Sequence, residues 1–573
     1  MKLRFCFVGA LATGVILALT AGRGNTADRP LAAATEIHPE SAFGGYLAAL
    51  HAQQNHDYGA AGAFIDAALA ADPDNYNLIR RAFALRVSEG HIAQAMPLAR
   101  KIAAHDGTAG LAGLVLIEQA IKAGHFDTAV KVATAVPHEG AQRYAAPLLV
   151  AWANAGRGDI KQAMRDLDTM GDTSGLGPLK LLHQALIADF AGEKATTAAA
   201  YKKLLTAETP PTTRIAQLAG NFYERQHDGA AARAVYESVA PVDDSDVAVA
   251  GLDRLARQIV PPRPIATAAD GAAEALFDLA SLLNQADTLD AALVYARLAI
   301  DLRPNFALAE LLAGEIREQQ GQPKDALALY RRIERGSLYA WTARMRIALT
   351  LDALSQTDES AKLLESLAAE QPQRPAPLIE LGDILRSHSR FADAVKAYDR
   401  ALARVPKPTA DDWRLFYSRG VCYERIGQWP RAQADLERAL KLRPNQPLVL
   451  NYLGYTWIDK GEKLPEAVKM IERAVALQPN DGYIVDSLGW AYFHLGQYAR
   501  ATETLERANE LVPDDPTIND HLGDAYWRTG RETEARYQWR RALQFKPDAD
   551  EAKTIQAKLD HGLGAAPAKV SGG

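Results

Sequence analysis

Apolar and polar positions along most of the chain alternate with the spacing of short amphipathic helices. The stretch DSLGWAYFHLGQYARATETLERANELVP (486–513) predicts two helices of roughly 13 residues joined by a turn at LGQY. Gly496 in that turn can end the first helix in a left-handed conformation. Pro513 ends the second helix, because proline lacks an amide donor and clashes with the preceding turn. The unit is therefore predicted to be a helix pair.

Small residues recur in this unit at fixed spacings. Gly489, Ala501 and Ala508 precede Pro513, and the same residue types return 34 positions further on. With no bulk at either place, the two helices of a pair can approach closely, so we expect Ala501 to be buried against Gly489. The four strongest units carry these structural positions at Gly420 and Ala432, Gly454 and Ala467, Gly489 and Ala501, and Gly523 and Ala535.

The spacing extends over roughly fourteen units, which is the self-similarity of a solenoid. Towards the N-terminus only the second small position stays clear, at Ala95, Ala129, Ala163 and Ala231. Near the C-terminus an aromatic residue also follows three positions after each glycine, at Tyr423, Trp457, Tyr492 and Tyr526. Together with the closing prolines, these positions resemble the tetratricopeptide-repeat (TPR) family over residues 42–548, most strongly in 376–548. The resemblance implies an all-α, right-handed superhelical solenoid of antiparallel helix pairs.

The repeat pattern also divides the chain. It is interrupted at VPPRPIATAADG (260–271), whose three prolines exclude a continuous helix and predict a bend or domain boundary. A polar helix after the last repeat is expected to cover its apolar side. The predicted segments are a signal peptide (1–22), a linker (23–41), a divergent N-terminal TPR array (42–240), an irregular helix and Pro-rich linker (241–271), a C-terminal TPR array (272–547), a capping helix (548–563) and a disordered tail (564–573).

The first residues predict export. Lys2 and Arg4 precede the apolar run 5–20, which has the length of a signal-peptide core and is too short for a membrane span. Thr20-Ala21-Gly22 is a small-x-small site, which predicts cleavage near Gly22, with Ala27 as a second candidate. We therefore expect an exported, periplasmic protein without an integral membrane domain after signal removal, at most peripheral to the outer membrane.

Composition and motifs argue against several classes of function. Among 573 residues the formal net charge is −6, which disfavours nucleic-acid binding. Only two cysteines are present, so neither a disulfide framework nor a cysteine metal site is predicted. No HExxH, GxSxG, CxxC or Walker motif occurs in the sequence. We predict no enzyme, with no catalytic, cofactor-binding or metal-binding residues.

What remains is a surface for partners. In solenoids of this family the first helix of each unit lines a concave groove, at positions three before, one after and four after the glycine. These positions are aromatic and acidic here, which suits peptide binding and disfavours a clamp for a terminal carboxylate. The predicted partner-binding residues are Tyr417, Asn451, Tyr455, Asp486, Trp490, Phe493, Asp520, Asp524 and Trp527.

Residues 451–543 are similar to the C-terminal half of proteobacterial envelope TPR proteins. One branch of these is an outer-membrane lipoprotein adaptor that delivers peptidoglycan hydrolases to a C-terminal processing protease. The resemblance implies a non-enzymatic scaffold with protein or peptide partners, including an envelope protease and cell-wall enzymes. The apolar run carries no cysteine at its end, so the lipid anchor of that branch is not predicted.

Two alternatives remain at this stage. A scaffold for exopolysaccharide export or outer-membrane assembly has the same features. An enzyme with an unrecognised site in 76–240, where the repeats weaken, would show a pocket with clustered ionisable groups, whereas a scaffold would show plain helix pairs there.

Overall fold

The computed structural model describes residues 41–54, 57–106, 110–135, 141–170, 176–243, 246–286 and 288–564. Within these ranges all regular secondary structure is helical, so the prediction of an all-α solenoid of antiparallel helix pairs is confirmed. The predicted signal peptide, the linker up to residue 40 and the tail beyond residue 564 lie outside the described residues.

The chain divides into two compact units, one ending at Gln356 and one beginning at Thr357. The helices of the first unit are α1 (Ala42–Gln54), α2 (Tyr58–Ala71), α3 (Tyr76–Glu89), α4 (Ile92–His105), α5 (Gly110–Lys122), α6 (Phe126–Ala135), α7 (Gln142–Gly156), α8 (Ile160–Asp168), α9 (Gly177–Ala191), α10 (Lys194–Ala207), α11 (Thr213–Arg225), α12 (Gly229–Asp243), α13 (Asp246–Ala256), α14 (Ala268–Gln285), α15 (Leu289–Leu302), α16 (Ala307–Gln319), α17 (Pro323–Arg332) and α18 (Ala340–Ala353).

The second unit continues the helix pairs after Thr357. Its helices are α19 (Thr357–Glu370), α20 (Ala376–Ser387), α21 (Phe391–Ala403), α22 (Trp413–Arg425), α23 (Trp429–Leu442), α24 (Pro447–Lys460), α25 (Leu464–Leu477), α26 (Gly482–His494), α27 (Tyr498–Leu511), α28 (Pro516–Arg528), α29 (Glu532–Gln544) and α30 (Ala549–His561), with a short 3₁₀ helix at Ala410–Asp412. α30 lies within the segment 548–563 that the sequence marks as a capping helix.

The boundary between the two compact units, at Gln356 and Thr357, differs from the boundary expected at 260–271. That segment is non-helical up to Thr267, as its prolines require, but the helices before and after it belong to the same compact unit. A proline-rich break shows where a helix stops, and it carries no information on whether the next helix leaves the unit or returns to it.

The small positions explain how the two helices of a pair approach each other. Ala501 has no exposed surface, as predicted. The closest side chain to Gly489, however, is Leu505 and not Ala501: a Cβ on Gly489 would lie 2.5 Å from Leu505 Cγ. In the neighbouring pair, Gly454 faces Ile471 in the same way. The glycine therefore makes room for a large side chain one turn beyond the alanine.

We expect Gly489→Ala to destabilise the second unit by about 1–3 kcal/mol, because the added methyl group overlaps Leu505. Gly62→Ala is the matched control, since Gly62 also lies inside a helix but a Cβ there meets nothing within 4 Å. That control should stabilise the protein by about 0.5–1 kcal/mol, the helix-propensity difference. Denaturant unfolding of both variants checks the pair, and equal effects would contradict the packing described.

The register of the N-terminal repeats shifts once. The sequence places a small position at Ala231, but this residue is half-buried, and its neighbour Ala232 is the one without exposed surface. Correspondingly, Gly220 receives the ring of Tyr236, which a Cβ would approach to 2.3 Å. The small position in the sixth helix pair is therefore Ala232, one residue later than a strict period of 34 predicts.

The inner face of the first unit is filled by the chain itself. Successive first helices α5, α7 and α9 contact one another, which places them on the inner side of the stack. After α13 the chain turns back, and α14 packs across these three helices while α15 packs on α3 and α5. Apolar side chains from the early pairs and from α14 to α16 form one continuous core.

Polar contacts between the early and the later helices accompany this packing. Arg214 on α11 donates two hydrogen bonds to Glu274 on α14. Lys122 on α5 lies 2.7 Å from Asp301 on α15. At the C-terminal end of α3, the backbone carbonyl of Ser88 accepts hydrogen bonds from two arginines, Arg297 and Arg317. The carboxyl end of a helix carries partial negative charge, so these arginines fasten the later helices to the first repeats.

Candidate functional site

The inner face of the second unit is the candidate site. Here α24 contacts α26 and α26 contacts α28, in addition to the contacts within each helix pair. First helices that touch across successive pairs lie on the tighter, inner side of the curve. The helices that carry the predicted groove positions therefore lie on the inner side of the second unit.

The structure places the nine predicted residues at different depths. The three aspartates are buried, with Asp486, Asp520 and Asp524 exposing 7, 8 and 4 % of their surface. The remaining six are half-buried: Tyr417, Asn451, Tyr455, Trp490, Phe493 and Trp527. The buried aspartates therefore support the groove, whereas the half-buried residues keep surface that a partner can contact.

Trp490 is the centre of a stack of rings. Its indole lies parallel to the ring of His521, with centroids 3.8 Å apart, and parallel to Phe493, with centroids 4.8 Å apart. Tyr498 packs edge-on against Phe493 at 5.3 Å, and His494 packs edge-on against Trp490 at 5.0 Å. Because its indole is stacked on two rings, Trp490 is less available as a free anchor than its position in the sequence suggests.

Asp486 holds this stack in place. Both of its carboxylate oxygens lie 3.0 Å from Nδ1 of His521, which sits on the next inner helix. Burial lowers the pKa of His521, but the carboxylates of Asp486, Asp520 and Asp524 together outweigh that effect, and the net shift is upward. The pKa of His494 is lowered, because burial disfavours its charged form. One groove histidine therefore favours the charged form and the other the neutral form.

We expect these two histidines to titrate on opposite sides of the ordinary value of about 6.5, His521 above and His494 below. The carboxylates of Asp486, Asp520 and Asp524 all raise the pKa of His521. Since its folded-state pKa is raised, its charge contributes stability below about pH 6.5, and this contribution is lost as the pH rises through the folded-state pKa. NMR titration of the ring resonances measures both midpoints, and Asp486→Asn should lower that of His521.

The last section of the groove is covered by α30. Nζ of Lys558 lies 2.6 Å from Asp520 and 2.8 Å from Asp524. Trp527 packs against Gly562 so closely that a Cβ there would be 2.1 Å from its ring. Asp520, Asp524 and Trp527 are therefore occupied by the chain's own capping helix. Their prediction as partner-binding residues must be corrected, because sequence spacing does not show what a following helix covers.

The half-buried residues on α22 and α24 differ from these. Tyr417 packs edge-on against Tyr452, with centroids 5.8 Å apart, and keeps part of its surface exposed. Oδ1 of Asn451 is buried and accepts no hydrogen bond from the described residues. Burial, together with Asp486 and Asp459, raises the pKa of Tyr455 to about 12. These side chains combine apolar surface with hydrogen-bond acceptors.

Sequence reasoning missed two groups that the structure brings into the site. His521 lies two residues before a repeat glycine, which is not one of the three groove positions read from the sequence. Only the structure shows that its ring stacks on Trp490. Asp459 lies one helical turn after Tyr455 and could have been found by extending the spacing of four by one step. Cys422 is buried, and burial raises the pKa of its thiol to about 12.

Region 76–240, where the enzymatic alternative places its site, forms helix pairs. Ionisable groups on its inner face pair with the returning helices, as His183 does with Asp278 at 3.2 Å. Within the described part of the chain, no group of three or more potential metal ligands is found. None of the described helices combines the length and apolar character needed to cross a membrane.

Sequence comparisons identify the repeats. Residues 311–375, 379–447 and 423–482 match a family described as Tetratricopeptide repeat, and residues 489–530 match one described as TPR repeat. The chain is 29% identical over 155 residues to the TPR repeat-containing protein PA4667 of Pseudomonas aeruginosa, covering 27% of this chain and 25% of that protein. It is 30% identical over 95 residues to Hsp70-Hsp90 organizing protein 2 of Arabidopsis thaliana, covering 17% and 16%.

The similarity thus spans at most about a quarter of the length of these relatives. Among solved structures, the Cut9 and Hcn1 hetero-tetramer of the APC/C is similar over 91% of this chain and 96% of the matched chain, with a TM-score of 0.38 and 14% identity. YrrB, described as a TPR protein with an unusual peptide-binding site, is similar over 34% of this chain and 98% of its own, with a TM-score of 0.27 and 21% identity.

Proposed function

Because residues between 311 and 530 carry tetratricopeptide repeats, we propose that the chain is a non-enzymatic scaffold that binds a protein or peptide segment in the groove of its second unit. The observation that carries the proposal is the contrast between the two inner faces. That of the first unit is filled by α14 and α15, whereas that of the second presents half-buried aromatic and amide side chains. Such side chains on rigid helices are typical anchors for peptides.

A displayed random-peptide library selected on the full chain tests this. Peptides recovered on the wild type are labelled, and their affinity is measured by fluorescence anisotropy for Tyr455→Ala and Tyr417→Ala. We expect a loss of about tenfold or more in each variant, the scale of an interface hot spot. Circular dichroism verifies that the variants remain folded.

Tyr537→Ala is the matched control. Tyr537 is 61 % exposed and lies on a second helix, α29, away from the inner face. It should leave the affinity unchanged. If the selected peptides bind both groove variants as tightly as the wild type, the groove is not the binding site.

The finer role is also a proposal. The positively charged start and the apolar run 5–20 support export to the periplasm. The resemblance of 451–543 to envelope TPR adaptors supports a role in presenting cell-wall hydrolases to a C-terminal processing protease. Mass spectrometry of the protein purified from a Gram-negative envelope fraction tests export, since cleavage near Gly22 shortens the chain. The adaptor role is tested by mixing the chain with purified protease and hydrolase and measuring whether a ternary complex forms.

A further inference from the structure

Two neighbouring inner helices carry matching rows of side chains. Residues four apart lie one above the other on a helix, so each row runs along one face. The rows are Asn451, Tyr455 and Asp459 on α24, and Asp486, Trp490 and His494 on α26. Since α24 and α26 are in contact, the two rows stand side by side on the inner face.

Negative charge converges between these rows. Asp459 and Asp486 both act on the hydroxyl group of Tyr455 and raise its pKa, after burial. Asp459 also acts on His494, across the groove on α26. Two carboxylates from different helices therefore influence the same small space beside the ring of Tyr455.

Little positive charge balances them. Asp486 is paired with His521. Asp459 is exposed, and among the described residues no cationic side chain lies within 4.0 Å of it. The lowered pKa of His494 keeps that ring neutral at and above pH 7. The space between the rows is thus an aromatic-walled site in which the carboxylate of Asp459 has no cationic partner among the described residues.

The next repeat shows how such a site is filled. Asp520 occupies on α28 the position that Asp486 occupies on α26, three residues before the repeat glycine. There α30 inserts Lys558 between Asp520 and Asp524, and Gly562 of the same segment covers the ring of Trp527. The chain itself therefore places an ammonium group between groove carboxylates, beside a tryptophan, one repeat further along.

We propose that the groove between α24 and α26 binds a lysine or arginine side chain of an extended basic peptide segment, with the cation paired to the exposed carboxylate of Asp459 beside Tyr455. This rests on the proposed function, because it names the kind of peptide that the groove takes. A cation at this place gains charge-assisted hydrogen bonds and a contact with an aromatic face. An acidic segment or a terminal carboxylate would meet repulsion instead.

Labelled peptides of equal length, with three Lys, three Glu or three Gln between Gly and Ser residues, provide the test on the full chain. We expect the Lys peptide to bind more tightly than the Gln peptide and the Glu peptide not to bind. High salt should weaken the Lys peptide most. Asp459→Asn, at an exposed position that does not hold the fold, should lower its affinity about tenfold, and Asp459→Lys should lower it further.

Glu503→Gln is the control, since Glu503 is an exposed carboxylate on α27, a second helix. If Glu503→Gln weakens the Lys peptide as much as Asp459→Asn does, the attraction is general and the inference is wrong. It is equally wrong if library-selected peptides depend on Tyr455 but carry no excess of Lys or Arg. Peptides of every charge binding independently of Tyr455 would instead overturn the proposed function itself.

Discussion

Trp152→Ala is expected to destabilise the first unit by about 3–5 kcal/mol, the usual cost of deleting a large buried side chain. Trp152 has no exposed surface. Its ring lies where α14 crosses α7, so close to Gly271 that a Cβ there would be 2.3 Å away. Its indole nitrogen also donates to Nδ1 of His183, 3.1 Å away. The substitution therefore leaves a cavity, and it removes the donor that Nδ1 of the buried His183 ring accepts from.

Hydrogen exchange resolved by segment checks this prediction. Amides of α7 and α14 should exchange faster in Trp152→Ala, because the two helices lose the ring that joins them, while α24 to α28 should keep the rates of the wild type. Phe43→Ala is the control, since Phe43 is 69 % exposed on α1 and should cost little. Unchanged exchange in α14 would show that the returning helix does not depend on this contact.

The helix pairs could be predicted from the sequence because the repeat is a local signal. A glycine, an alanine twelve or thirteen residues later and a closing proline describe one pair and its turn. Gly496 takes the left-handed conformation expected of it, with φ of 71°. The sequence predicts Ala501 against Gly489, but the side chain that lies closest to Gly489 is that of Leu505. Leu505 lies one helical turn beyond Ala501, and sequence spacing alone does not show how far the second helix is shifted along the first.

The filled inner face of the first unit could not be predicted in the same way. The interruption near Pro261 marks where the stack ends, but the contacts that return α14 to α7 join residues more than a hundred positions apart in the chain. Gly271 gave no repeat signal, although it is the residue that allows the close approach to Trp152. Long-range packing of this kind depends on shape and on buried pairs, which periodicity does not encode.

The predicted groove residues lie on the first helices of successive pairs in the second unit, but residues at equal positions in the repeat differ in what covers them. Tyr455, Trp490 and Asp524 all lie one residue after a repeat glycine. Tyr455 remains half-buried, Trp490 is stacked on His521, and Asp524 is paired with Lys558. The difference comes from the next helix in each case, so equal spacing in the sequence conceals unequal surroundings.

The capping helix gives the second large effect. Lys558→Ala is expected to release α30 from the groove at a cost of about 3–5 kcal/mol, because Asp520 and Asp524 lose their shared cation while remaining largely buried. Desolvation and the neighbouring Asp524 already raise the pKa of Asp520. Ile555 is the only fully buried apolar side chain of α30 among the described residues, and Leu559 is partly buried against the same core.

Lys553→Ala is the matched control on the same helix. Lys553 is 78% exposed and pairs with Asp550, which is 94% exposed, so its loss should change stability by less than about 0.5 kcal/mol. Hydrogen exchange over residues 549–561 should therefore accelerate in Lys558→Ala and stay unchanged in Lys553→Ala. Combining Lys558→Met with Asp520→Asn and Asp524→Asn removes the buried charges on both sides and should restore part of the protection. If α30 is equally protected in the two single variants, the ion pairs do not hold the helix, and the apolar contacts of Ile555 and the packing of Gly562 on Trp527 must do so instead.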